Sequence, residues 1–209
     1  LSMPENLHKL FVISSPSGGG KTSLINKLFE DSRSANFEKS ISDTSRQKRQ
    51  GDLEGKDYYF LSEKDFKDKI KKEEYVEYAT VFGNFYGTSK EEIKTKYNNS
   101  NLILELDWQG AYAVKELFDD AKLIFLVPPS LDDLKQRLIK RNLDSSKEIE
   151  SRLSEAKKEI SKSEMYDYLV LNDDFHKAFE DLSQILFEGI SPIDFNSRAS
   201  KDLIKRLVE

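Results

Sequence analysis

Short, almost wholly apolar runs punctuate an otherwise polar chain. Leu10-Phe11-Val12-Ile13 is the first and Leu102-Ile103-Leu104, with Leu106, the second. Leu123-Ile124-Phe125-Leu126-Val127 and Tyr168-Leu169-Val170-Leu171 follow. Runs this short, rich in β-branched and aromatic side chains, predict strands buried on both faces. After the first run a turn-rich stretch over 14–20 leads into Leu24, Ile25 and Leu28, spaced as on one helix face. The same spacing predicts helices over about 109–118, 131–141 and 175–187. Pro128-Pro129 stops the third strand, and Ser130 with Asp133 three residues on marks the next helix start. Strands alternating with helices predict an α/β fold whose parallel sheet is covered on both faces.

Two stretches break the alternation. Residues 34–93 are polar, turn-rich and rich in Tyr and Phe, with glycines at 51, 55, 83 and 87, and they predict an inserted mixed lobe. Residues 135–158 are helical and basic, eight Lys and Arg against four Asp and Glu, with Ile149, Leu153, Ala156 and Ile160 as an apolar stripe. The tail over 188–209 ends in a candidate amphipathic helix carrying Leu203, Ile204 and Leu207.

Composition narrows the chemistry. The 209 residues contain no cysteine, which removes disulfides, thiol nucleophiles and cysteine metal sites. With two histidines alone, His8 and His176, composition argues against multi-histidine metal sites and Ser-His-Asp catalysis, and both read as surface residues. No apolar run approaches the roughly 20 residues of a membrane span, and no charged-then-apolar leader opens these residues, so a cytoplasmic protein without a membrane partner is expected. With 33 Lys and Arg against 38 Asp and Glu, the net charge is −5 and a nucleic-acid partner is not expected. Any anionic ligand must be held by local groups.

One such group is plain. Ser15-Pro16-Ser17-Gly18-Gly19-Gly20-Lys21-Thr22 matches G-x-x-x-x-G-K-[ST] apart from Ser15 in place of the first glycine. Glycines let backbone N–H groups approach phosphate oxygens, and the following helix aims its N-terminus at the same anion. Lys21 suits the β/γ-phosphates, and the Thr22 hydroxyl suits Mg²⁺. A second group spans Ser42 to Tyr58. Arg46 and Arg49, three apart, are guanidinium forks able to converge on one anion; alone, such a pair reads as a solvated surface feature.

It does not stand alone. Ser42-x-x-x-Arg46-x-x-Arg49-x-Gly51-Asp52-x-x-Gly55-x-Asp57-Tyr58 is followed by Val76-Glu77-Tyr78-Ala79, Tyr86-Gly87-Thr88, Leu106-Asp107-Trp108-Gln109-Gly110, Pro128-Pro129-Ser130, Arg137, Arg141, Arg152 and Asn172-Asp173-Asp174. In this order the chain resembles the guanylate kinases, from about residue 8 to 187. The resemblance implies a P-loop three-layer α/β fold with a parallel five-stranded core sheet, an inserted mixed α+β GMP-binding lobe and a helical lid. It implies one domain: core 4–33, 94–136 and 158–187, lobe 34–93, lid 137–157, and a tail, 188–209, outside the match. It implies transfer of the γ-phosphoryl group of ATP to GMP, with Mg²⁺ as cofactor. ATP is then expected on Ser17, Gly18, Gly19, Gly20, Lys21, Thr22 and Ser23, with Asn172 near the adenosine. The GMP phosphate is expected on Arg46, Arg49, Tyr58 and Tyr86, and guanine on Ser42, Glu77, Thr88 and Asp107. Lys21, Arg46, Arg137, Arg141 and Arg152 would serve catalysis, the last three from the lid. Thr22, and Glu105 through water, would hold the metal.

The base-reading set is chemically sound. Guanine offers N1–H and an exocyclic amine as donors and O6 as acceptor, which suit carboxylates and hydroxyls respectively. Three positions depart from the family pattern: Glu105 stands for a common Asp, Ser45 for Thr and Asp52 for Glu. A protein-binding module of guanylate-kinase type and a monophosphate kinase of other base specificity are the alternatives. The first typically loses phosphate-loop or lid residues that are present here, and the second is disfavoured by Glu77 together with Asp107.

Overall fold

The structure, a computed structural model, describes residues 8–81, 83–140, 146–194 and 197–209. Its strands are β1 (Leu10–Ser14), β2 (Phe37–Lys39), β3 (Asp43–Thr44), β4 (Tyr59–Phe60), β5 (Tyr75–Val81), β6 (Asn84–Ser89), β7 (Asn101–Glu105), β8 (Lys122–Val127) and β9 (Tyr168–Leu171). Its helices are α1 (Lys21–Phe29), α2 (Glu63–Lys71), α3 (Lys90–Tyr97), α4 (Trp108–Leu117), α5 (Leu131–Lys140), α6 (Ser146–Ser161), α7 (Phe175–Ser183) and α8 (Arg198–Val208). The four apolar runs are strands, and the helices expected after them are present.

The core is a five-stranded sheet in the order β2-β7-β1-β8-β9, with every pairing parallel. Alternation along each strand divides its side chains between two apolar layers. Leu10, Val12, Leu102, Leu104, Leu123, Phe125 and Leu169 face one layer, closed by Ile93 and Tyr97 of α3, Ala111 and Val114 of α4 and Ile160 of α6. Phe11, Ile13, Ile103, Ile124, Leu126 and Val170 face the other, closed by Leu24, Ile25 and Leu28 of α1 and by Ala178 and Leu182 of α7. A sheet buried on both faces explains why its strands carry unbroken apolar runs.

The fifth strand corrects a boundary. Residues 37–39, expected in the inserted lobe, form the edge of the core sheet, with Phe37 opposite Asn101 and Lys39 opposite Ile103. An edge strand of Phe-Glu-Lys presents one apolar side chain and so leaves no run to read. Phe37 stacks at 6.1 Å on Phe11 and meets the edge of Phe187 at 5.4 Å. Helix α3 begins at Lys90, inside the expected lobe, yet packs on the core through Ile93 and Tyr97.

The lobe carries a second sheet, β4-β3-β6-β5, in which β6 runs antiparallel to β3 and β5. Phe66 of α2 stacks between Tyr75 and Phe85, with ring centres 4.5 and 5.4 Å apart. In the tail, α8 lays Leu207 into the core layer beside Ile160 of α6. No helix among the described residues is long and apolar enough to cross a membrane.

Candidate active site

The site forms where parallel strands end, because loops leave the carboxyl edge of the sheet there. Ser14 closes β1, Glu105 closes β7, Lys39 closes β2 and Asn172 follows β9. Between β1 and α1 the chain turns through Gly18 and Gly20, at φ 88° and 90°, and the Gly19 N–H donates to Pro16 O at 2.8 Å. A Cβ on Gly20 would lie 2.3 Å from the Asn172 amide nitrogen, so the turn requires glycine for space as well as for its left-handed backbone. Helices α2, α3, α4, α7 and α8 start with a Ser or Asp side chain that accepts a first-turn N–H; α1 starts at Gly20 with no side-chain cap. Its first-turn donors, at Lys21, Thr22 and Ser23, are thus available to an anion.

Lys21 points under the loop and its amine donates to Leu106 O at 3.2 Å. Burial lowers its pKa from the usual lysine value, while Glu105, Glu159 and Asp107 pull the other way. Thr22 Oγ1 donates to Glu105 Oε1 at 2.6 Å, and Lys39 Nζ donates to Glu105 Oε2 at 2.7 Å. Burial works against the Glu105 charge, but Lys21, Lys39 and the two hydrogen bonds outweigh it, and its pKa falls below the usual carboxylate value.

Across the cleft the lobe presents a second set. Arg46 pairs with Asp52 at 2.9 Å, and its guanidinium lies 5.5 Å from the ring centres of Tyr58 and Phe60. The Arg49 N–H donates to the same Asp52 carboxylate at 2.7 Å, so one acid organises the Arg-x-x-Arg turn, with the Arg49 side chain exposed. Tyr58 and Tyr86 meet edge to face at 5.7 Å, and burial raises the Tyr58 pKa, which keeps its hydroxyl a neutral donor. A cavity of about 360 Å³ joins the two sets, lined by Lys21, Thr22 and Glu105 from the core, Ser42 and Tyr58 from the lobe, and Lys39.

Ser42 links this cavity to the expected base readers. Its hydroxyl lies 3.3 Å from Thr88 Oγ1, which donates to Glu77 Oε1 at 2.7 Å. Asp107 caps α4, accepting from the Gly110 N–H at 2.9 Å. Gly110 allows a close approach: a Cβ there would lie 3.1 Å from Glu77 Cγ and from Leu106 Cβ, tighter than usual contact. Burial pushes the Glu77 pKa up to about 7; the Thr88 hydrogen bond opposes this and the nearby Asp107 adds to it.

A carboxyl raised from 4.5 to about 7 in the folded state lends full stability below pH 4.5 and loses it as pH rises through 7. Glu77→Gln removes that penalty while keeping an acceptor for Thr88. The variant is expected to melt higher than wild type at pH 8, by the equivalent of up to about 3 kcal/mol, with the gain vanishing at pH 4.5. Thermal melts at the two pH values measure this, and equal melting temperatures at pH 8 would mean the Glu77 charge is not held out of water.

Two of the arginines expected in the lid make contacts at or beside the phosphate loop. Arg152 of α6 donates to Ser17 Oγ at 2.7 Å, and Arg137 of α5 donates to Asn172 O at 2.8 Å. Leu134 and Leu138 of α5 lie against Gly18. Asn172, expected near the adenosine, is buried, with its amide donating to Gly19 O at 2.7 Å. It therefore braces the loop from behind. Arg141 lies outside the described residues.

The family model described as guanylate kinase matches residues 7–189. The chain belongs to the guanylate kinase family. It is 46% identical over 184 residues to the guanylate kinase of Wolbachia sp. subsp. Brugia malayi (strain TRS), covering 87% of this chain and 93% of that one. It is 47% identical over 178 residues to that of Hahella chejuensis, covering 85% of each. The crystal structure of guanylate kinase from Anaplasma phagocytophilum superposes with a TM-score of 0.70 at 32% identity, covering all of both chains. ATP:GMP phosphotransfer is the guanylate kinase family's activity.

Two groups in this guanylate kinase fold escaped the sequence reading. Lys39 lies on an edge strand too short to be recognised. Glu159 lies seven residues after Arg152, two turns along the same face of α6, so helical spacing was a usable signal. Burial raises the Glu159 pKa to about 7, with Lys21 opposing and Asp107 adding.

Proposed function

We propose that this chain transfers the γ-phosphoryl group of ATP to GMP, releasing ADP and GDP. The observation that carries this reading is the single cavity where Lys21, Thr22 and Glu105 face Ser42 and Tyr58. Donor-phosphate chemistry stands on one wall and acceptor-nucleotide chemistry on the other. An oxygen of the GMP phosphate attacks the γ-phosphorus, the bond to the β,γ-bridging oxygen breaks, and ADP leaves. The acceptor is already ionised, so no side-chain base is required; positioning and cations on the transferring oxygens carry the catalysis.

Gly18, Gly19 and Gly20 present the ATP phosphates to the N-terminus of α1, with Ser17 and Ser23 beside them, and Lys21 supplies charge. Arg46, Arg49, Tyr58 and Tyr86 hold the GMP phosphate, while Ser42, Glu77, Thr88 and Asp107 read guanine. Arg137, Arg141 and Arg152 belong to the lid, 137–157. The lid and the lobe close on the core and exclude water from the transfer. Asn172 supports the loop behind the ATP phosphates.

Mg²⁺ fits the donor set, a hydroxyl and a carboxylate oxygen 2.6 Å apart, both hard ligands. Thr22 and, through water, Glu105 would hold it, and when bound it neutralises charge on the β- and γ-phosphate oxygens. The reading includes action in the cytoplasm on free nucleotides, with no nucleic-acid or membrane partner.

A coupled assay with ATP and each of GMP, AMP, UMP and CMP tests it. GMP-dependent ADP formation is expected. None would overturn the reading, and AMP turnover at a similar rate would overturn the base-reading set.

A further inference from the structure

The pairing of Lys39 with Glu105 is used by none of these roles, and the sheet register dictates it. Lys39 stands opposite Ile103, and Glu105 is two residues beyond Ile103 on the same strand. In-register neighbours and alternate residues of a strand point to one face. That face is the α1 side, since Ile103 packs with Leu24 and Ile25. Thr22, in the first turn of α1, approaches the same carboxylate from above the sheet edge. Each Glu105 oxygen thereby has its own partner, Oε1 with Thr22 at 2.6 Å and Oε2 with Lys39 at 2.7 Å.

Glutamate carries one more rotatable bond than aspartate, so its carboxylate needs anchoring to present one oxygen at a fixed place. We propose that Lys39 is a positioning residue for the divalent cation of the nucleotide complex: by holding Glu105 Oε2, it fixes Oε1 beside the Thr22 hydroxyl. The proposal rests on the phosphotransfer reading. A partner that orients a metal-binding carboxylate typically changes metal affinity by 10- to 100-fold. A cation close to the metal also repels it, so the two effects have opposite signs and experiment separates them. Anchoring prevails here because Lys39 bonds the oxygen turned away from Thr22, while Oε1 stays beside the hydroxyl.

The test uses Mn²⁺ as probe, its affinity for the full-length enzyme–ADP complex being read by electron paramagnetic resonance. Lys39→Met is expected to weaken Mn²⁺ binding about tenfold, and Lys39→Arg, which keeps charge and reach, to recover most of it. Glu105→Gln breaks the pair from the other side, and in that background Lys39→Met is expected to change Mn²⁺ affinity by less than twofold. GMP affinity, measured by calorimetry without metal, is expected to stay within about twofold in Lys39→Met, which a merely structural clamp between β2 and β7 would not allow. Unchanged or tighter Mn²⁺ binding by Lys39→Met would overturn the proposal, as would an equal loss in the Glu105→Gln background. Absence of GMP-dependent ADP formation by wild type overturns the phosphotransfer reading instead, and the Mn²⁺ measurement does not depend on turnover.

Discussion

Replacing Lys21 with alanine is expected to lower kcat roughly 10³-fold, about 4 kcal/mol of transition-state stabilisation. Its amine lies beside the phosphate loop, partly buried and bonded to Leu106 O. Burial disfavours its charge, and three nearby carboxylates, on Glu105, Glu159 and Asp107, help to keep it. A triphosphate in the loop supplies the missing anion, and charge moving onto the β,γ-bridging oxygen strengthens that contact in the transition state. Alanine leaves this charge with the backbone N–H groups alone. The fold is expected to survive, because α1 is held by Leu24, Ile25 and Leu28 in the core layer and Lys21 contributes nothing to that face. Steady-state kinetics beside a circular-dichroism melt checks both halves. A kcat within about threefold of wild type would remove Lys21 from the transfer step.

What the chain discloses before folding depends on how each element is buried. β1, β7, β8 and β9 are covered on both faces and must be apolar throughout, so they stand out as runs. β2 needs only Phe37 inside, and β3 and β4 are two residues each, so none carries a period to detect. The phosphate loop is legible because its backbone leaves little choice: Gly20 is left-handed and pressed against Asn172. Pairings set by register are not legible. Lys39 and Glu105 are 66 residues apart and meet only because β2 joins the sheet edge beside β7. Asn172 is a similar case: its position after β9 was readable, but its hydrogen bond to Gly19, 153 residues away, exists only in the assembled sheet. Glu159 differs, since helical spacing from Arg152 places both on one face of α6 without any tertiary information.

Discrimination between purines should be the second large effect. The ratio of kcat/KM for GMP over AMP is expected to be about 10⁴, because adenine lacks the N1 donor and would leave a buried carboxylate unpaired. Glu77→Gln is expected to reduce that ratio to about 10², since an amide offers guanine N1–H a weaker acceptor and can turn a donor toward adenine. The raised Glu77 pKa, about 7, gives the idea a second handle. GMP needs the ionised carboxylate, so below pH 7 binding must first remove a proton. Between pH 8 and pH 6 the ionised fraction falls about tenfold, and KM for GMP in wild type is expected to rise by that factor. The phosphate of GMP titrates over the same range, but it does so equally with both proteins. The difference between the wild-type and Glu77→Gln curves therefore isolates the carboxyl group, with KM for ATP as the control whose curve is the same in both. Parallel curves would remove Glu77 from base reading, and an unchanged KM for GMP in the variant would return the selectivity to Asp107 and the two hydroxyls.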